Sequence, residues 1–553
     1  MAERHDLSPF KNFFMRRRYA FLLPLLLGLS VAIGMILGMQ FSGPTNAATE
    51  LDVSTKFKYV LSHIKNNYVD PVQKQPLVED AIRGMLESLD PHSVYISADE
   101  IKQMNEPLEG NFEGIGIEFN ILRDTIVVVS AISGGPSEAV GLRAGDKIIR
   151  VEGRDMTGEE LTNQDVIDNL RGEKGTQVEV TVVRRGAPEP LQFTITRDEI
   201  PLYSVVAHHM VDARTGYIKV TRFAATTPRE FSDAMDKLEA RGMQRLILDL
   251  RGNPGGYLDA AIKLSDEFLQ NDKLVVYTEG RARPRREYRA SRKGHFESGK
   301  LVILIDEGSA SASEIVSGSV QDWDRGLIVG RRSFGKGLVQ EPFRLPDGAA
   351  IRLTIARYYT PSGRSIQRPY RQGSDAYYQE VANRLESGEL TTRDSVHLAD
   401  SLRFETQQGR TVYGGGGIMP DVFVPLDTSG GSPFFNALMR RGLLNQFSLR
   451  YMDGHRKPLK ADYPNSDAFA RNYQVAAQLM ESLRSFARKQ GIAVDFPEDL
   501  SSRQRIKHNL KSLLARQLYG QDGFYRIYNQ ENPTFRRALE LMDHSNKWEE
   551  LSS

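Results

Sequence analysis

The segment KLVILIDEGSASASEIVSGSVQDW, Lys300 to Trp323, sets the reading of the region around it. Leu301 to Ile305 is a short, continuous apolar run rich in β-branched residues, the pattern of a buried strand. Small residues follow Asp306, and SASEIVSGSVQDW then reads as an amphipathic helix. The strand signature recurs in GYIKVTRF (216–223), RLILDL (245–250), KLVVYT (273–278) and RGLIVG (325–330), with the helix YLDAAIKLSDEFL (257–269) between. Strands alternating with amphipathic helices over residues 215–360 predict an α/β core, a largely buried sheet with helices packed against it.

The same junction offers chemistry. Ser309, Ser311, Ser313 and Ser317 lie where the strand gives way to the helix. A sharp turn there exposes a side chain, and the helix N-terminus stabilises developing negative charge. A Ser/Ala-rich stretch also serves as a plain N-cap. A serine hydroxyl is hardly ionised at neutral pH and needs a base. The ten histidines are scattered, and the nearest in sequence, His295, lies in the polar stretch RKGHFESG. Lys336 is the alternative, in Phe334-Gly335-Lys336-Gly337 after the strand RGLIVG. An ε-amine can take a proton if burial lowers its pKa, because desolvation disfavours the ammonium. Gly-Lys-Gly alone is an ordinary turn, but two motifs at successive strand ends of one domain point to a Ser/Lys pair.

At 553 residues the chain should hold two to four domains. It is 40% hydrophobic and 26% charged with a formal net charge of +1, so no global basic field points to nucleic acid. It has no cysteine, which excludes a thiol nucleophile, thiolate metal sites, disulfides and a lipidated cysteine. Arg16, Arg17 and Arg18, in a basic segment 1–18, precede an apolar run from Tyr19 to Met39. That run predicts a transmembrane anchor over 19–41 with everything after Gln40 outside the cytoplasm. A signal peptide cleaved near Ala47 and Ala48 is the competing reading. Residues 50–105 read as helices, in LDVSTKFKYVLSHIKNNYVD and LVEDAIRGMLESLDPHS. Residues 429–553 read as a helical C-terminal extension, a packing or assembly module with no chemical motif.

Residues 106–198 change to short strands separated by turns. FEGIGIEF and TIVVVSAI, then SEAVGLRAGDKII and LRGEKGT, resemble a PDZ domain in its circularly permuted bacterial-protease form. Gly114-Ile115-Gly116-Ile117 stands in place of the carboxylate-binding Gly-Leu-Gly-Phe loop. A glycine-rich turn leaves N–H groups free for a C-terminal carboxylate, and the adjacent strand edge holds the peptide by β-augmentation.

GSASASEI followed by SFGKGLVQ resembles the C-terminal processing peptidases, serine proteases with a Ser/Lys dyad. LDPHS (89–93), LDLRGNPGG (248–256), YYTPSGRSIQ (358–367) and GGIMPDVFVP (416–425) are further marks of that family, so the resemblance covers about residues 50–425. It implies a multidomain α/β protein whose crotonase- or Clp-protease-like core (199–428) carries an inserted PDZ domain. It implies a nucleophile twenty-five residues before Lys336, which is Ser311, and an amine oriented by Gln340. It places an oxyanion hole at the Ala312 N–H and the Gly255-Gly256 turn. Arg171 falls where related enzymes sense bound peptide. Glu314 is read as a support or an N-terminal helix charge.

The expected function is a serine endopeptidase, anchored in the inner (cytoplasmic) membrane, whose catalytic part works in the periplasm or its equivalent. It would cut proteins with apolar C-terminal tails and need no metal or other cofactor. The expected partners are these substrates, the membrane, further copies of the chain in a homo-oligomer such as a dimer, and an adaptor or activator. A membrane-tethered, non-catalytic PDZ scaffold is the alternative. An acyl-CoA enzyme could share the core fold, but would need neither export nor a PDZ domain.

Overall fold

The computed structural model describes residues 22–41, 48–122, 124–132, 134–396, 399–493, 496–497, 499–544 and 548–550. It divides into two units, residues 1–82 and 83–553. In the first unit, helices Leu22–Phe41 and Ala48–Asn67 are followed by the start of helix Lys74–Glu87. The side chains described in the first helix, residues 24–37, are all exposed. Among the described residues no helix is long and apolar enough to cross a membrane. The spanning helix expected over 19–41 is therefore not borne out. Arg16 to Arg18, Tyr19 and Ala47 lie outside the described residues.

In the second unit a six-stranded sheet carries the site. Its order is Val205–Met210, Thr215–Val220, Arg245–Asp249, Lys300–Ile305, Leu327–Gly330, Val422–Phe423, parallel from the second strand onward. Successive side chains of a strand point to opposite faces. Accordingly Leu246, Leu248, Leu301, Ile303 and Ile305 pack with helices Thr227–Glu239, Leu258–Asp266 and Ala312–Asp322. Ile247, Val302 and Leu304 pack on the other face with Phe535, Ala538, Leu541 and Met542 of helix Pro533–Asp543. A parallel sheet has to be covered on both sides. The C-terminal extension supplies the second cover, after building an apolar core of its own from helices between Pro433 and Glu531.

A five-stranded antiparallel sheet, Val94–Ile96, Ala350–Tyr359, Leu274–Gly280 and Arg283–Arg289 with Leu338–Arg344 paired to the second, stands beside the core. The strands from Ile117 to Thr196 form a separate sheet with helix Asn163–Leu170, whose N-cap Thr162 accepts from the Asp165 N–H. Asn111–Gly114 pairs antiparallel with Asp198–Pro201, which brings the two ends of this insert together.

Candidate active site

The structure separates the four serines. Ser309, Ser313 and Ser317 are fully buried, and their hydroxyls donate to the carbonyl oxygens of Leu250 (2.8 Å), Asn253 (2.9 Å) and Ser313 (2.8 Å). They fasten the strand-to-helix turn and its neighbour, LDLRGNPGG. Ser311 differs. It is the member of the four that lines a cavity of about 1030 Å³. Its φ of 54° and ψ of −110° are strained for a residue with a Cβ, and such strain persists only where the surroundings impose it.

Part of that imposition is Glu314, one helical turn on and fully buried. Its carboxylate accepts from the Ser311 N–H (2.7 Å), the Gly335 N–H (2.7 Å), the Lys336 N–H (2.9 Å) and the Ser333 hydroxyl. One side chain thus ties the serine turn to the lysine turn, a larger role than a helix-end charge. Burial pushes its pKa up to about 7, against the pull of those donors. The Tyr358 hydroxyl bridges the same two turns, 3.0 Å from the Ser311 carbonyl oxygen and 2.6 Å from that of Lys336.

Lys336 lines the same cavity as Ser311. Its Nζ donates to Gln340 Oε1 at 3.0 Å, and among the described residues no carboxylate pairs with it. Burial and then the nearby Arg352 guanidinium lower its pKa to about 8. In this structure Nζ and the Ser311 hydroxyl are in one cavity without a hydrogen bond between them. Gln340 is itself held, its amide donating to the His92 carbonyl oxygen. That carbonyl is fixed by LDPHS: Asp90 accepts from the His92 N–H (2.8 Å), the Ser93 N–H (2.9 Å) and the Ser93 hydroxyl (2.6 Å). Asp90 also accepts from Thr354 (3.1 Å) of the strand opposite Gln340. Burial and then Lys336 hold the His92 imidazole down at about 4, so it stays neutral. The sequence marked LDPHS, but nothing local in it said that its main chain would support Gln340.

The glycine turn lies against the serine. Gly255 has φ of 100°, and a Cβ there would fall 2.8 Å from Ser311 Cβ and 3.0 Å from Ala312 N. Its own N–H donates to Asn253 Oδ1 at 2.9 Å. Gly255 therefore contributes space, not a donor, which corrects its expected share in an oxyanion hole. The Ala312 N–H heads its helix with no intrahelical acceptor. The neighbouring bridge uses the Phe223 and Tyr257 N–H groups, leaving that of Gly256 out. Ala312 and Gly256 both line the cavity.

In the inserted sheet, Ile115 is buried and Gly116 has φ of 74°. The carbonyls of Ile115 and Gly116 accept from the Ser137 N–H (3.1 Å) and the Ile132 N–H (2.9 Å), which sets the loop from Gly114 to Ile117. Arg171 does not point into open solvent. It pairs with the buried Glu106 and lies 4.6 Å over the Phe112 ring, so it fastens the insert to helix Ala98–Glu109. Ile101, Met104 and Leu108 of that helix line the serine cavity.

Residues 214–372 match the model of peptidase family S41, and residues 114–195 that of the PDZ domain. Residues 39–100 match the activating protease CtpB N-terminal domain, and 434–520 a family of unknown function. A carboxy-terminal-processing protease of Bartonella bacilliformis is 37% identical over 345 residues, 62% of this chain and 78% of its own length. The chain belongs to the carboxy-terminal processing protease family. It is a serine protease of mixed α/β build with a PDZ domain. A second carboxy-terminal processing protease, CtpA of Bacillus subtilis, is 33% identical over 327 residues, 59% of this chain and 69% of its own. Among solved structures, the photosystem II D1 C-terminal processing protease is 31% identical, with 56% of this chain and 83% of that one covered and a TM-score of 0.34. In this processing protease the matched S41 segment contains the serine turn, the glycine turn and Lys336.

Proposed function

We propose that this protease cuts extracytoplasmic proteins at or near their C-terminal tails, by acyl transfer to Ser311 with Lys336 as general base. The observation that carries the reading is the Lys336 amine, half-buried in the cavity of the strained serine turn with a neutral carbonyl oxygen as its partner. With a pKa of about 8, roughly a tenth of the molecules have a neutral amine at pH 7. An unperturbed lysine would be neutral in about one molecule in three thousand.

In the proposed sequence, substrate binding brings the Ser311 hydroxyl and Nζ into hydrogen-bond reach, and Lys336 takes the hydroxyl proton as Oγ attacks the scissile carbonyl. The negative oxygen of the tetrahedral intermediate faces the N–H groups of Ala312 and Gly256, each such donor being worth about 10²- to 10³-fold in rate. Lys336 returns the proton to the leaving amine, and an ester of Ser311 remains. Water, deprotonated by the neutral Lys336, then attacks the ester, and Ser311 leaves with the proton. Gln340 keeps the amine in place throughout, and the His92 carbonyl keeps Gln340 in place.

The PDZ domain takes the substrate's apolar C-terminus in the same reading, with its carboxylate on the loop from Gly114 to Ile117. Arg171, tied to the helix that walls the cavity, is placed to couple that binding to the site. Work outside the cytoplasmic membrane, at its surface, belongs to the proposal. It is supported by the exposed Leu25, Leu26, Met35 and Ile36 of the first helix, which are buried well only in lipid or against another apolar partner. Assembly into a homo-oligomer and delivery of substrate by an adaptor or activator complete it.

The test uses the full-length chain in mild detergent, with an unfolded protein ending in an apolar tail. Wild type should release fragments and Ser311→Ala should not, the rate falling by about 10⁴-fold or more. A Ser311→Ala protein that cuts like wild type would remove the assignment. A folded wild type that binds the tail without cutting would favour the scaffold.

A further inference from the structure

The cavity that holds Ser311 and Lys336 has an uneven distribution of charge. Its lining carries Lys263, Arg286, Arg344 and Arg352 besides Lys336, and one carboxylate, Asp259. Asp259 is taken by Lys263 at 2.6 Å. Among the described residues Arg286, Arg344 and Arg352 have no carboxylate partner; Arg286 lies 5.0 Å from the Tyr288 ring centroid. Arg352 is half-buried, whereas Arg286 and Arg344 are exposed. The fully buried arginines of the core are paired with carboxylates, Arg245 with Asp212, Arg332 with Glu389, Arg364 with Asp322, and Arg368 and Arg384 with Glu380, and the half-buried Arg325 donates to carbonyl oxygens of Phe268, Gly299 and Phe296. A partly desolvated cation without a counter-ion is unfavourable unless something else supplies the negative charge.

The strands say where that charge would sit. Gln340 pairs with Thr354, Pro342 with Arg352, and Arg344 with Ala350. Arg352 is thus one side-chain repeat, about 7 Å, along its strand from the level at which Gln340 holds Lys336. Gln340, Pro342, Arg344, Ala350 and Arg352 all line the cavity, so they form one wall. An extended substrate running along this wall advances about 3.4 Å per residue, which brings a side chain two residues from the scissile bond level with Arg352.

We infer that this wall is a subsite for an acidic side chain of the substrate, about two residues from the scissile bond. Arg352 is its principal contact, with Arg344 and Arg286 as outer cations. The inference rests on the reading of Ser311 and Lys336 as the reacting pair. An aspartate or glutamate there accepts charge-assisted hydrogen bonds from a guanidinium, the stronger class of protein hydrogen bond. The protease would then read two features of a substrate, its apolar end at the PDZ domain and an acidic residue beside the cut.

The test uses quenched fluorogenic peptides that share one apolar tail and carry a single Asp, moved through the four positions on either side of the scissile bond. Matched peptides carry Asn or Lys instead. Full-length wild type should show, at one position, kcat/KM higher for Asp than for Asn by about tenfold or more, with Lys lowest. Arg352→Gln should abolish the Asp-to-Asn ratio, and Arg352→Glu should reverse the order in favour of Lys. Equal cleavage of the three peptides at every position by wild type overturns the subsite, with no variant needed. So does an Arg352→Gln protein that keeps the Asp preference. A Ser311→Ala control that still cuts would instead overturn the underlying reading, whatever the peptide preference.

Discussion

Two lysines of the protease core are withdrawn from solvent, Lys219 buried and Lys336 half-buried, and they could hardly be used more differently. Lys219, on strand Thr215–Val220, is 4% exposed, and its ammonium donates to Asp249 at 3.2 Å and to the Arg251 carbonyl. Lys336 donates to the neutral Gln340 carbonyl. Burial lowers the pKa of both. At Lys219 the carboxylate beside it opposes that effect, while at Lys336 the next contribution after burial is the positive Arg352. Burial alone therefore does not make a base. The charge of the group facing the amine decides whether it stays an ammonium that holds the fold or becomes an amine that can take a proton.

The carboxylates tell the same story from the other side. Burial resists ionisation of Asp249, but Arg251 and Lys219 outweigh it and hold the carboxyl well below the usual range. Through Arg251 that ion cluster reaches Asn529 and Asn532 of the C-terminal extension, at 3.1 and 2.5 Å. Glu314 has neutral donors only, and burial takes it up to about 7. The charged cluster docks the extension on the sheet, and the neutral one aligns two turns around a cavity.

The contrast can be broken most sharply at Lys336. Lys336→Ala should lower kcat by about 10⁴-fold in fragment-release assays with an unchanged unfolding midpoint in urea. If Lys336→Ala keeps most of its activity, the amine is not the base and the comparison of the two lysines loses its functional half. At the structural site the order inverts. Asp249→Asn should destabilise by about 3–5 kcal/mol in urea unfolding, because it leaves Lys219 and Arg251 buried without their carboxylate. A loss below about 1 kcal/mol would mean that the cluster contributes little. Gln340→Ala sits between the two, since it frees the amine without removing it. It should lower kcat by about 10- to 100-fold with little effect on KM. The smallest effect is in pH. An amine with a pKa near 8 must lose its proton to act, so kcat/KM should rise about tenfold between pH 7 and pH 9 and then level. Protonation of Glu314 should steepen the fall below pH 7. A flat profile over that range would remove Lys336 as the titrating group.

Much of this was open to reading in the sequence. The strand and helix patterns of residues 215–360 predicted a largely buried sheet with helices against it, because short apolar runs mark buried strands and a helix face imposes a period of 3.6. The glycine-rich loop and the strand order marked the PDZ domain, and the order of GSASASEI and SFGKGLVQ carried the family. The absence of a histidine near the serines already pointed to lysine. The helical character of the last hundred residues was equally clear, although not that one of their helices, Pro533–Asp543, closes the second face of the sheet.

What the sequence by itself determined are the features set by neighbours along the chain: periodicity, caps, turn glycines and the order of motifs. The family spacing had singled out Ser311, but only the tertiary structure shows why the other three serines do not serve, their hydroxyls being taken by main-chain carbonyls of this and an adjoining turn. It decided that the N–H of Gly255 belongs to Asn253. It brought the His92 carbonyl to Gln340 across 248 positions of sequence, and it left Arg352 half-buried on the cavity wall with no carboxylate partner among the described residues. Each of these depends on burial and on partners from distant segments. Desolvation and hydrogen-bond satisfaction are properties of the packed molecule, which a local stretch of chain does not carry.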